Sequence, residues 1–227
     1  MHHSQEHNGH RRTQFQIDRI AFFSDAVIAI AITLMVLEIK IPAMGAKITL
    51  QEIVSKHGGS ILVHITALFL SYLTIGNLWI RHHELYEHIV NYNKRLIKLN
   101  LYFLLSIILL PVSISFFFTN DNPMQLRMIV YFMNLALCYF TYYLMTRVVY
   151  HSKANFSAIP KMELTMKRMN GMLAASILFV IVSILVAVKP DWFYYPFIAA
   201  VIIRVIRQRI AKRQKKKRSQ AEISTQS

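Results

Sequence analysis

The side chains that could carry chemistry lie where chemistry is expensive. Arg19, Ser24 and Asp25 open an apolar run that continues to Glu38, long enough to cross a hydrocarbon core at about 1.5 Å per residue. An acid inside such a run must be turned towards protein and given a partner. Asn77, His82, His83 and Asn100 are the available partners in the next two helices. Arg19, Ser24, Asp25 and these four are therefore expected to form a structural hydrogen-bonded network, each interhelical contact stabilising by about 0.6–2 kcal/mol. We read Asp25 as an acid that fixes the helix in orientation, in preference to one that carries protons.

Enzymatic patterns fail on spacing. His83-Glu84-Leu-Tyr-Glu87-His88 invites comparison with zinc proteases, but its histidines stand five residues apart, roughly 140° around a helix, and share no face. His2, His3, His7 and His10 read as a polar tail. No nucleophile elbow, phosphate loop or dinucleotide fingerprint occurs. The expectation is a protein that is not an enzyme, with no cofactor and no metal site.

These residues must be positioned by membrane helices. The chain has 227 residues, 55% of them hydrophobic, too apolar for an ordinary soluble domain. Apolar runs predict six transmembrane helices, at about 20–40, 61–80, 96–118, 124–149, 168–188 and 192–207. Thr49-Leu-Gln-Glu52 resembles a capping box, so a short surface helix should precede helix 2 and stop at Gly58-Gly59, with Ser60 capping helix 2. Pro111 should bend helix 3. The expected division is a polar N-terminus (1–18), a six-helix unit (19–207) and a basic tail (208–227). An even span count puts both termini on one side. Arg81, Lys94, Arg95, Lys98, Arg147 and the tail then share that side, so the positive-inside rule makes it cytoplasmic and the membrane the cell membrane. Topology also accounts for most of the net charge of +15, so no nucleic acid is expected as partner, while membrane lipids are.

Helix 1 has a second face. At about 100° per residue, Ala26, Ile30, Thr33 and Leu37 form a stripe with Leu34 at its edge, and Asp25 points more than 90° from its centre. On residues alone this stripe is lipid contact or helix packing.

Arg19-x-x-x-Phe23-Ser24-Asp25 and the Ala-Val-Ile-Ala-Ile-Ala-Ile-Thr-Leu after it resemble the signature of the transmembrane protein 175 family of potassium-permeable cation channels. Trp79-x-x-His82-His83 looks like the family's aromatic-histidine segment, and Asn100 with Leu109-Leu110-Pro111 is similar to its third-helix pattern. The resemblance implies an all-α membrane protein of the prokaryotic single-repeat form, assembled as a homotetramer with the pore at the oligomer axis. It implies that helix 1 lines that pore, with a hydrophobic constriction at Ile30, Leu34 and Leu37 and the Thr33 hydroxyl between them. Ala29 stands where animal members carry a hydroxyl residue, which weakens the expectation of strong preference for potassium over sodium. The Thr-Val-Gly-Tyr-Gly loop of ordinary potassium channels is absent, so a carbonyl-lined filter is excluded. The expected function is a channel for potassium and other monovalent cations. A secondary ion transporter and a non-conducting membrane scaffold are the alternatives; broken helices and paired midplane charges would favour the first.

Overall fold

Between Gly9 and the end of its apolar run the chain contains neither glycine nor proline, and in lipid every backbone N–H and C=O must bond within its own segment. A single long helix follows. In a computed structural model, which describes residues 2–37, 50–118, 122–151, 156–157, 163–192, 195 and 198, α1 spans His2–Leu37. Next come α2 (Leu50–Glu87), α3 (Lys94–Phe118), α4 (Met124–His151) and α5 (Glu163–Val188), and then a 3-10 turn, Pro190–Trp192.

Six membrane spans do not stand. The described residues form five α-helices, four of them long and apolar enough to cross a membrane: Arg12–Leu37, Lys94–Phe118, Met124–His151 and Met169–Val188. α2 is not among these four. The sixth helix expected at 192–207 lies outside the described residues except for its first residue and Tyr195 and Ile198, as do the basic tail and the link containing Pro42. The parity argument for two termini on one side falls with the count. The start of helix 2 also differs: α2 is continuous through Gly58, Gly59 and Ser60. Two glycines cost a helix only about 1 kcal/mol each, too little to break it where both flanks propagate. Likewise α1 extends back through the histidine-rich segment.

The helices are knitted by small polar contacts between buried faces. Ser106 Oγ meets Thr141 Oγ1 at 3.4 Å, and Asn134 Nδ2 donates to Ser113 Oγ at 3.0 Å, so α3 and α4 run antiparallel. α3 passes through Pro111 without a break. The proline leaves the Ile107 carbonyl without its helical donor, and the Cys138 thiol donates to the adjacent Ser106 carbonyl at 3.3 Å. On the far side of α4, Ser176 Oγ donates to the Ala136 carbonyl at 2.9 Å, and Phe179 stacks on Phe132 and Tyr139. Two tyrosines tie α2 to α4: Tyr131 Oη lies 2.8 Å from Ser71 Oγ, and Tyr142 Oη donates to the Arg81 carbonyl at 2.7 Å. Beyond the helix ends, Val90 N–H donates to the Phe156 carbonyl at 2.9 Å, joining the α2–α3 and α4–α5 links. One end of the bundle therefore gathers the C-terminus of α2, the N-terminus of α3 and the C-terminus of α4, and with them Arg81, Lys94, Arg95, Lys98 and Arg147.

Candidate functional site

α1 packs on α2 and α3 through one face only. Ile17, Ser24, Ile28, Ala31 and Met35 are buried, at spacings of three, four and seven that return to the same side of a helix. Ala26, Ile30, Thr33, Leu34 and Leu37 are all exposed; all but Leu34, which stands about 90° round, lie on the side of the helix opposite that face. Ile30 is 58% exposed and Leu37 75%, against 1% for Ile28. The stripe carries no charge, and its one hydroxyl, Thr33 Oγ1, donates back to the Ile30 carbonyl at 2.8 Å.

The polar residues form two groups, not one network. In the first, Asn100 of α3 bridges two helices: its Nδ2 donates to Ser24 Oγ of α1 at 2.9 Å, and its Oδ1 lies 2.9 Å from His82 Nε2 of α2. Ser24 Oγ passes its own hydrogen to the Ile20 carbonyl at 2.8 Å. All three side chains are buried, and the His82 ring stacks between Tyr86 and Phe103, with centroids 4.5 and 5.4 Å away. A buried amide that gives one hydrogen to α1 and lends its carbonyl to α2 locks three helices at one level. The tautomer follows: with Asn100 Oδ1 accepting, His82 carries its proton on Nε2.

The second group is at the edge of the helix pair. Asp25 is half-buried, and its Oδ1 accepts from the Trp79 indole N–H at 2.9 Å. His83 packs against the Trp79 ring at 5.9 Å. Asn77 turns along its own helix and accepts from Arg81 Nε at 2.8 Å. Arg19 lies over the Phe15 ring at 6.0 Å, away from both groups. Asp25, Ile28, Ala29 and Ile32 of α1 face Tyr72, Leu73, Gly76 and Trp79 of α2 across a groove of about 780 Å³. Trp79 as the acid's donor was absent from the sequence expectation. Its one signal was an indole, a side chain that only donates, in the apolar segment next to the acid's own.

Residues 19–111 match the family described as endosomal/lysosomal potassium channel TMEM175. That stretch is similar to TMEM175. It covers α1 from Arg19, the polar bridge at Asn100 and α3 as far as Pro111, so the resemblance read from the first-helix motif holds. Over 184 residues the chain is 27% identical to a potassium channel of Chryseobacterium sp. (strain P1-3), covering 80% of this chain and 85% of that one. Over 93 residues it is 32% identical to a potassium channel of Streptomyces collinus, 41% of this chain and 43% of the other. The fold is that of a crystal structure of a lysosomal potassium-selective channel TMEM175 homolog from Chamaesiphon minutus. The match has a TM-score of 0.63 at 18% identity and covers 85% of this chain and 97% of that one. With the match to a membrane-channel family and four apolar helices, the protein is a multi-pass membrane protein.

Proposed function

We propose that this chain is the subunit of a potassium-permeable cation channel whose ion path runs along the exposed stripe of α1. The observation that carries the reading is the exposure of that stripe. Among the four candidate spans, the apolar window of α1 is the least buried, at 22%. Its inner face is fully used by α2 and α3, so the outer face waits for a lining role. A single convex helix encloses nothing; several copies around an axis do. The resemblance makes that assembly a homotetramer.

Ile30, Leu34 and Leu37 of each copy then form successive narrow apolar layers, a gate that closes by dewetting. Thr33 lies between them. Because its hydrogen is spent on the Ile30 carbonyl, its oxygen offers lone pairs, the polarity a cation needs when it sheds water. Potassium gives up its water more readily than sodium, so squeezing past bulky side chains favours potassium. Asp25 stays off this path and helps to hold α1 in register through Trp79.

The membrane is the cell membrane, and the basic end of the bundle, with Arg81, Lys94, Arg95 and Arg147, faces the cytoplasm. Labelling of an Asn91→Cys variant by an impermeant thiol reagent outside intact cells would invert that orientation. The functional test is recording from purified protein in planar bilayers under a potassium gradient. Discrete unitary currents reversing near the potassium potential are expected. A steady exchange flux without unitary steps would make the protein a transporter, and silence with intact assembly would leave a scaffold.

A further inference from the structure

At the basic end, α3 and α4 leave a hollow of about 550 Å³ that the ion path does not use. Its outer wall is cationic and polar: Asn93, Arg95, Arg147 and His151. Leu99 and Leu144, each deeper along its own helix than that helix's arginine, line the inner wall, and Val148 lies beside Arg147. None of the described lining residues is acidic. Both arginines are exposed, so holding them together here is not explained by burial. The hollow opens at the start of α3, where Asn93 Oδ1 caps Leu96 N–H at 2.9 Å, and at the last turns of α4. Arginine forks match phosphate oxygens two at a time.

We propose that this hollow binds the phosphate of an anionic phospholipid from the leaflet at the basic end. Arg95 and Arg147 hold the phosphate oxygens, and Leu99 and Leu144 receive the first part of an acyl chain. A free phosphate presents the same chemistry to the arginines, but it has nothing to lay on the apolar wall. The polar-to-apolar gradient along two membrane-spanning helices is what selects the lipid. The inference rests on the membrane placement of α3 and α4 and is independent of ion conduction.

Native mass spectrometry of the full-length protein in detergent, titrated in turn with phosphatidylglycerol, phosphatidylcholine and inorganic phosphate, tests it. Phosphatidylglycerol should bind at concentrations roughly tenfold lower than phosphatidylcholine. Arg95→Gln with Arg147→Gln should weaken phosphatidylglycerol binding roughly 30-fold. Arg147→Gln alone should weaken it roughly fivefold and serves if the pair does not fold. Lys94→Gln with Lys98→Gln removes the same charge at the same end from residues outside the lining, and should change binding less than about threefold. Equal losses in the two pairs would reduce the effect to diffuse charge and overturn the site. Inorganic phosphate binding as tightly as the lipid would overturn the lipid assignment.

Discussion

Replacing Ile30 with Asn should raise unitary conductance a few-fold and move the reversal potential under potassium–sodium bi-ionic conditions towards zero. The amide is close to Ile in bulk but brings a carbonyl and two N–H groups into a layer that otherwise offers an ion nothing in exchange for its water. In the proposed tetramer, four copies at the axis would multiply the change. Sodium, which holds its water more strongly, gains most, so discrimination falls as current rises. Ile28 is the control, two residues away and 1% exposed. There the amide would be buried among α2 and α3 without partners, at a cost of about 1–3 kcal/mol, and the loss should appear as poor assembly and a lower thermal midpoint. Equal permeation changes at both positions, or none at Ile30, would take α1 out of the ion path.

Asn100→Leu should lower the thermal stability of the assembled protein by about 1–4 kcal/mol while leaving ion preference in surviving channels unchanged. Leucine fills a similar volume but leaves His82 Nε2 and Ser24 Oγ without their partner, and each interhelical bond of this type is worth about 0.6–2 kcal/mol. Ser24→Ala should cost less, because it leaves the His82–Asn100 bond intact. Trp79→Phe should cost least: it removes one N–H from a half-buried carboxylate that water can still reach. Thermal unfolding of the three variants in one detergent gives the order directly. An Asn100→Leu variant as stable as wild type would strip the bridge of its anchoring role. A shift in reversal potential on Trp79→Phe would put Asp25 on the conduction path.

Which residues are polar inside apolar segments was legible in the chain, because a membrane makes each of them conspicuous. Which of them meet was not. Ser24, His82 and Asn100 come together because they occupy one level of α1, α2 and α3, and level depends on where each helix starts. The start of α2 was hidden by Gly58-Gly59, a pair that reads as a stop but here sits inside a 38-residue helix. Arg19 and Asn77 have the residue types of network members, yet one covers Phe15 and the other bonds along its own helix. Trp79 was missed for a different reason: at a helix end the indole reads as an interfacial ring, and nothing in spacing alone aims its N–H at Asp25. The outward stripe of α1 was visible as periodicity, but only the packed structure distinguishes it from Ile28 and Met35, which are just as apolar and fully buried.

Cysteine accessibility along α1 during single-channel recording tests the central claim most directly. The native Cys138 is buried and can be replaced by Ala to give a silent background. Thr33→Cys and Leu37→Cys stand on the stripe; Val36→Cys, 56% exposed at the wild-type residue, stands off it. A charged, membrane-impermeant thiol reagent should block current irreversibly at Thr33→Cys and Leu37→Cys and leave Val36→Cys untouched. Block at Val36→Cys with none at the other two would contradict an ion path along this face of α1.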